Sequence, residues 1–231
     1  MSIFKDATIV LVHGAWADGS SWGPVIRDLQ KQGLNVVAAP IPLTSLSDDA
    51  AALKRTIART QGPVIVAGHA YAGAVVGTAK DERVKALVYI AALAPDDGET
   101  VAQVFYREEA HPNAPKLAPD EDGFIWMPDS SFEQAFAQNA TSEQINLCRA
   151  VQPPIALKSI QEKVVAPAWK TKPVWYLLAE QDRMINPKTQ RFMAERMKAT
   201  IRSFAVDHTP QLTAPDKVVE VILEAAQATL S

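Results

Sequence analysis

Val64-Ile65-Val66-Ala67-Gly68-His69-Ala70-Tyr71-Ala72-Gly73 is the stretch on which the reading of this chain turns. Its first four residues are an apolar, β-branched run, the composition of a strand buried on both faces. Small residues then recur at Gly68, Ala70, Ala72 and Gly73, and a helix is expected over Tyr71–Lys80. A chain that passes from strand to helix with almost no loop must turn sharply, which forces the apex residue into a strained backbone conformation. Two positions to either side, Gly68 and Ala72 must be small so that strand and helix can approach. The apex side chain, that of Ala70, then points into any pocket above the sheet, and the backbone N–H of Tyr71 is offered beside it. The bare pattern small-x-Ala-x-small is common; its place between a buried strand and a helix gives it meaning.

Outward from this turn, short apolar runs alternate with helix-like stretches, the pattern of a parallel sheet covered on both faces. Six strands are expected: Ala7–Val12, Leu34–Ala39, Val64–Ala67, Ala86–Ile90, Val174–Leu178 and Ile201–Ala205. Helices are expected near Gly23–Gln32, Ser47–Thr60 and Tyr71–Lys80. A terminal helix over Pro215–Ala228 puts Val218, Val219, Ile222, Leu223 and Ala226 on one face, with Thr213 and Asp216 as its start signal. Between Pro95 and Pro173 the rhythm breaks. Nine of the chain's 16 prolines fall there, with no convincing strand and helical pieces at Ser131–Asn139 and Ser142–Val151. So long an excursion between two core strands is not an ordinary loop. It reads as a helical lid, residues 95–170, inserted into a core of residues 1–94 and 171–231, over the carboxyl ends of the strands where open α/β sheets bind ligands.

The 231 residues suffice for one well-buried domain. A hydrophobic fraction of 48% with 21% charged residues is that of an ordinary globular protein, and the net charge of −3 suggests neither nucleic acid nor an acidic membrane as partner. The single cysteine, Cys148, excludes an internal disulfide and a cysteine-rich metal site, and reads as a half-buried helix filler. The first apolar run ends at once in His13-Gly14, too short for a signal core or a membrane span, so a cytoplasmic location is the expectation. No metal-ligand cluster, dinucleotide fingerprint or phosphate loop is evident, so no metal and no cofactor are expected.

The other residues with chemical potential sit at strand ends. After the first strand come His13-Gly14-Ala15-Trp16 and Asp18-Gly19-Ser20-Ser21-Trp22. A tight turn there would set the Ala15 N–H opposite that of Tyr71, giving two donors for a developing oxyanion. The fifth strand ends in Glu180-Gln181-Asp182, and the sixth in Asp207-His208-Thr209-Pro210. Apex, acid and histidine thus come in the order 70, 182, 208, which belongs to one of the three common triad arrangements. Asp182 would hold the His208 tautomer and leave the other ring nitrogen facing Ala70. Asp207 and Glu180 are competing acids, read as solvated strand-end groups. His13 and His69 read as structural, and His111 has no evident partner.

Taken together, these segments resemble the α/β-hydrolase superfamily, in particular the lid-bearing branch of small esterases that includes plant methylesterases and hydroxynitrile lyases. The likeness rests on His13-Gly14-Ala15-Trp16 with Trp22, the turn at 68–73, the Ala91-Ala92-Leu93-Ala94-Pro95-Asp96 passage, Asp182 and His208, and spans residues 7 to 228. It implies Ala15 and Tyr71 as oxyanion donors, Asp182 as orienting acid and His208 as base. It also implies a serine at the apex, where this chain has Ala70.

A methyl group cannot attack a carbonyl or form an acyl intermediate, and loss of a triad nucleophile removes on the order of 10⁶-fold of the rate. Three readings of Ala70 stand open from sequence. One is an esterase whose serine has been replaced. Another, implied by the resemblance, is a natural protein using the His208/Asp182 dyad as general base in lyase or cofactor-free oxygenase-like chemistry. The third is a binding protein that keeps the pocket without the reaction. In each the partner is a small, mostly apolar molecule. Trp16 and Trp126 are expected in its pocket, drawn from a wider aromatic set (Trp22, Tyr71, Phe105, Phe124, Phe132, Phe136 and Trp169) of which most is core.

Overall fold

The computed structural model describes Phe4 and residues 6–230; the remaining residues of the expected core, 1–3, 5 and 231, lie outside the described residues. Six strands form one sheet: β1 (Thr8–Val12), β2 (Asn35–Ala39), β3 (Val64–His69), β4 (Val84–Ile90), β7 (Val174–Ala179) and β8 (Thr200–Phe204). Their order is β2-β1-β3-β4-β7-β8, and every pairing is parallel. All six expected strands are present, each within two residues of its expected ends.

Alternation along each central strand sorts side chains to two cores. Ile9, Leu11, Ile65, Ala67, Val88, Ile90 and Leu177 face a layer formed by α1 (Gly23–Lys31) and the terminal helix α10 (Pro215–Leu230). Val10, Val12, Val66, Leu87, Tyr89 and Tyr176 face the other side, covered by α2 (Leu46–Ala58), α3 (Ala72–Val76) and α8 (Pro187–Arg196). Since both faces are buried, the central strands read as unbroken apolar runs. The edge strands β2 and β8 do not: Asn35, Val37, Arg202 and Ser203 are exposed. The terminal helix buries Val218, Val219, Val221, Ile222, Ala225 and Ala226. None of the described helices is long and apolar enough to cross a membrane.

Residues 95–173 leave the sheet between β4 and β7. They carry α4 (Val101–Phe105), α5 (Asp129–Ser131) running into a π-turn over Phe132–Phe136, α6 (Ser142–Val151) and α7 (Leu157–Gln161). Contrary to expectation, this insertion also contains strand: β5 (Phe124–Ile125) pairs antiparallel with β6 (Ile155–Ala156). Two residues are too few to show a period, and their pairing joins segments thirty residues apart. The expected helix at Ser131–Asn139 is the π-turn, which ends at Phe136. That expected over Tyr71–Lys80 stops at Val76, and the Gly77 carbonyl accepts the Ala168 N–H at 2.7 Å instead of continuing the helix. Both ends of the insertion are stapled together and to the core. Gly98 N–H donates to Val164 O at 2.9 Å, and the Arg196 guanidinium holds Glu99 and the Ala94 carbonyl, at 2.9 and 2.8 Å.

The strand-to-helix turn is closed by small residues. A Cβ built on Gly68 would stand 2.5 Å from Val76 Cγ2 and 3.0 Å from the Ala72 carbonyl oxygen. One on Gly73 would meet Leu93 O at 2.3 Å and Ala92 Cβ at 3.0 Å, so the start of α3 lies directly on the chain leaving β4. Because the obstacle at Gly73 is backbone, Gly73→Ala is expected to destabilise the fold by about 1–3 kcal/mol or more. That corresponds to a fall of roughly 2–4 °C in Tm per kcal/mol for a domain of this size. Thermal unfolding followed by circular dichroism checks it, and an unchanged Tm would mean that α3 and the end of β4 do not touch.

Candidate active site

Ala70 sits at the turn with φ +50°, in the left-handed region that non-glycine residues rarely adopt. Three backbone hydrogen bonds hold it there: its N–H donates to Ile90 O (3.3 Å), and its carbonyl accepts from Leu93 (2.9 Å) and Gly73 (3.1 Å). Its methyl lines a cleft, together with the His208 ring, Ala15 and Trp16. The turn after β1 lies against the apex, since a Cβ on Gly14 would come within 3.1 Å of Ala70 Cβ and 2.9 Å of His69 O. Trp16, next in that turn, is also left-handed at φ +57°, and its indole N–H donates to Ile125 O at 2.9 Å. Ala15 and Tyr71, the two expected donors, thus both border the cleft, and neither backbone N–H donates to another described residue.

His208 and Asp182 come together as their order suggests. His208 Nδ1 lies 2.8 Å from Asp182 Oδ2, and both side chains are almost wholly buried. The Asp182 carboxylate is bound from every side. Its Oδ1 accepts the Met184 and Ile185 N–H groups at 2.7 and 2.9 Å, and its Oδ2 also accepts Gln190 Nε2 at 2.8 Å. A carboxylate so engaged fixes the imidazole with Nδ1 as donor, leaving Nε2 as the ring's free acceptor. Behind the pair, His69 Nε2 donates to the His208 carbonyl at 2.7 Å. Burial, with His208 close by, holds the His69 imidazole well below the ordinary histidine range, so it stays neutral as a structural donor. His13 is also buried, lowered by desolvation, and bonded locally at Gly14 O. His111 is exposed and caps only Asn113 N–H.

The competing acids do not reach His208. Glu180 is exposed and accepts the Ser203 hydroxyl at 2.7 Å. Asp207 corrects the reading of a solvated group, because it is fully buried. It accepts the Asn139 N–H at 3.0 Å and the Thr213 hydroxyl at 2.5 Å, tying the insertion to the histidine loop. Burial pushes its carboxyl up from the usual range.

The insertion roofs the cleft with Val101, Phe105, Tyr106, Leu117, Ile125 and Ile160, and Met184 and Ile185 complete the wall from the core side. The cleft and its open mouth together hold about 600 Å³ of space not filled by protein atoms. Trp16 lies in the wall of this cleft. Trp126 does not: it is 51% exposed, outside the lining, with its indole N–H on Asp120 Oδ2 at 3.2 Å, and its neighbour Ile125 takes the inward position. The antiparallel pair β5–β6 fixes that alternation, a register no two-residue run reveals in sequence. Phe136, expected as core, is buried, and it also packs on the His208 ring, centroids 5.4 Å apart. Gln190 and Asp49 carry no signal in sequence. Asp49, in α2, accepts the Tyr71 hydroxyl on Oδ2 at 2.6 Å and the Leu43 N–H on Oδ1 at 2.7 Å.

A model of the α/β-hydrolase family matches residues 9–221. A search of curated proteins gives no match. Among solved structures the chain is similar to polyneuridine aldehyde esterase, at 17% identity and TM-score 0.82, over 96% of this chain and all of that one. It is similar also to a serine-to-alanine variant of a pyrethroid hydrolase (20%, TM-score 0.80, covering 96% and 98%) and to a methylesterase from Arabidopsis (16%, 0.78, covering 96% and 99%).

Burial pushes the Asp49 carboxyl from an unfolded value of 3.8 up to about 6, against the lowering by Tyr71 and Leu43. The folded state therefore keeps a proton there that the unfolded chain has lost. Stability from this proton is full below about pH 4 and is lost as pH rises through about 6. Urea unfolding of the protein and of Asp49→Asn should show the native chain losing stability relative to the variant across that window. A difference that does not change with pH would place the Asp49 carboxyl in solvent.

Proposed function

The chain belongs to the α/β-hydrolase family, and from that premise we propose that it is an esterase-type hydrolase for a small, mostly apolar carboxylic ester, present here with Ala70 at the nucleophile's position. The observation that carries this reading is the left-handed Ala70 beside His208 in one cleft. Left-handed backbone costs an alanine roughly 1–2 kcal/mol, and a turn needed for shape alone would be met more cheaply by glycine. The strain serves to aim a side chain at this cleft. In this reading the ester carbonyl sits between the Ala15 and Tyr71 N–H groups. A hydroxyl at residue 70 gives its proton to His208 Nε2 as it attacks, and Asp182 stabilises the imidazolium that forms. The residues 95–170 act as the lid. Apart from His208 and the backbone donors, the walls around the reacting position are apolar, which suits an uncharged ligand.

A second reading draws on the same geometry. With only a methyl at the apex, His208 faces the ligand directly, so the dyad can serve as general base on a bound substrate or water without an acyl intermediate.

Ala70→Ser separates the two. The serine variant is expected to release a burst of 4-nitrophenolate from 4-nitrophenyl acetate or butyrate at pH 7–8, with the acyl group found on residue 70 by mass spectrometry. Adding Asp182→Asn to it should lower turnover by about 10⁴-fold, because the tautomer is no longer enforced. A folded serine variant with neither acylation nor turnover across a broad ester panel would overturn the esterase reading in favour of the dyad or of simple binding.

A further inference from the structure

We infer that Asp49 is a positioning residue for the oxyanion-binding N–H of Tyr71, gripping the far end of the Tyr71 side chain so that the turn keeps its donor aimed at the ligand carbonyl. The inference rests on the esterase-type reading of the cleft and adds a residue that lies outside it.

Apart from that grip, Tyr71 is held by packing in the core and by its carbonyl, which accepts the Ala74 N–H at 3.1 Å. It comes directly after the strained apex and starts α3, a helix of only five residues with no side-chain cap at its N-terminus. Its N–H, if it is to bind an oxyanion, must stay unbonded to protein, so the backbone aims it only indirectly, through the Ala70–Tyr71 peptide plane whose carbonyl accepts from Gly73 and Leu93. The side chain adds an anchor on the far side of the Cα. Tyr71 borders the cleft, and its hydroxyl donates to Asp49 Oδ2, outside the cleft lining, at 2.6 Å. A hydrogen bond from a hydroxyl to a carboxylate is short and about twice as strong as a neutral one, and it sets the whole side chain against its Cα.

Asp49 is itself anchored. Its other oxygen accepts the Leu43 N–H at 2.7 Å, and Leu43 is a left-handed residue, φ +60°, whose carbonyl accepts the Ala156 N–H of the insertion at 2.9 Å. On the same side, the fully buried Ser159 hydroxyl of α7, without a hydrogen-bond partner of its own, lies beside the Tyr71 oxygen. The Glu162 carboxylate accepts Ser47 N–H at the start of α2, at 2.9 Å. The grip therefore joins the donor residue, α2 and the roof of the cleft.

A purely structural role explains the pair less well. Burying a carboxylate in α2 opposes stability, as the upward displacement of its proton affinity records. A phenylalanine–leucine pair of similar volume would fill the space without that cost. A feature that weakens the fold while fixing the residue next to the apex has the profile of a functional device.

The test uses the protein with Ala70 in place, which lets an ester bind without acylation. Dissociation constants are measured by calorimetry for 4-nitrophenyl butyrate and for its tetrahedral anionic analogue, the 4-nitrophenyl propylphosphonate monoanion. The unmodified protein should prefer the phosphonate. Asp49→Asn should weaken phosphonate binding roughly tenfold, within the about 100-fold that a 1 Å misplacement can cost, and leave the neutral ester's affinity within twofold. Simple charge removal predicts the opposite sign, since deleting a buried negative charge should favour an anion. Tyr71→Phe tests the same bond from the other end, and covers the case in which Asp49→Asn fails to fold. It should reproduce the selective loss, and the double variant should add nothing further. In the Ala70→Ser background the same changes should lower kcat and leave KM unchanged. Folded variants that keep the full preference for phosphonate, or that lose both ligands equally, overturn the inference and leave the esterase reading intact. If the unmodified protein shows no preference for the phosphonate and Ala70→Ser shows no acylation, the esterase reading itself falls and takes the inference with it.

Discussion

A single strained residue organises the structure. Ala70 is held left-handed by hydrogen bonds to Ile90, Leu93 and Gly73, drawn from two neighbouring segments and from the helix it starts. Those bonds need β4 beside β3, and they need the chain leaving β4 to press against α3 so closely that Gly73 has no room for a methyl. The turn after β1 is drawn in as well, because Gly14 leaves no more space against Ala70. Strain of this size persists only where the surroundings over-determine it. Here the parallel pairing of β1, β3 and β4 supplies that over-determination, and in return the cleft receives an apex side chain and two unpaired N–H groups at its floor.

Around this floor, polarity is arranged from behind. Asp182 has four donors, His69 supports the His208 carbonyl, and Asp49 takes the Tyr71 hydroxyl. None of these supporting groups lies in the cleft wall, which is aliphatic and aromatic apart from His208 and backbone. Asp182 and Asp49 therefore have their partners on the protein side, which is how such groups avoid the penalty of burial without a hydrogen bond. A charged ligand would find little to pair with inside the cleft.

How much of this is legible in sequence depends on whether the determining contact is local. The six strands can be read because burial on both faces leaves unbroken apolar runs, and the terminal helix because its apolar stripe has the helical period. That Asp182 and His208 meet, with His208 and Ala70 in one cleft, can be anticipated because each stands just after a strand, where an open sheet gathers its loops. By contrast, Trp126 is expected inward, and the β5–β6 pairing sends Ile125 in and Trp126 out. Asp207 resembles any solvated acid at a strand end, and only the return of the insertion at Asn139 buries it. Gln190 and Asp49 occupy helix positions where polar residues are ordinary. Nothing short of the packing of α8 on β7, or of α2 on α3, distinguishes them from a solvated face.

The same contrast bears on Ala70. None of the hydrogen bonds that shape the turn uses its side chain; all run through its backbone. The close approaches at Gly14, Gly68 and Gly73 likewise depend on neighbours and not on what the apex carries beyond its Cβ. Folding is thus nearly indifferent to whether a methyl or a hydroxymethyl stands there, whereas acyl transfer depends on it entirely. Structure and chemistry are separable at this one atom. Under the esterase reading proposed above, a chain that keeps every supporting contact and lacks only the oxygen retains the means to bind, orient and polarise an ester, with the covalent step removed.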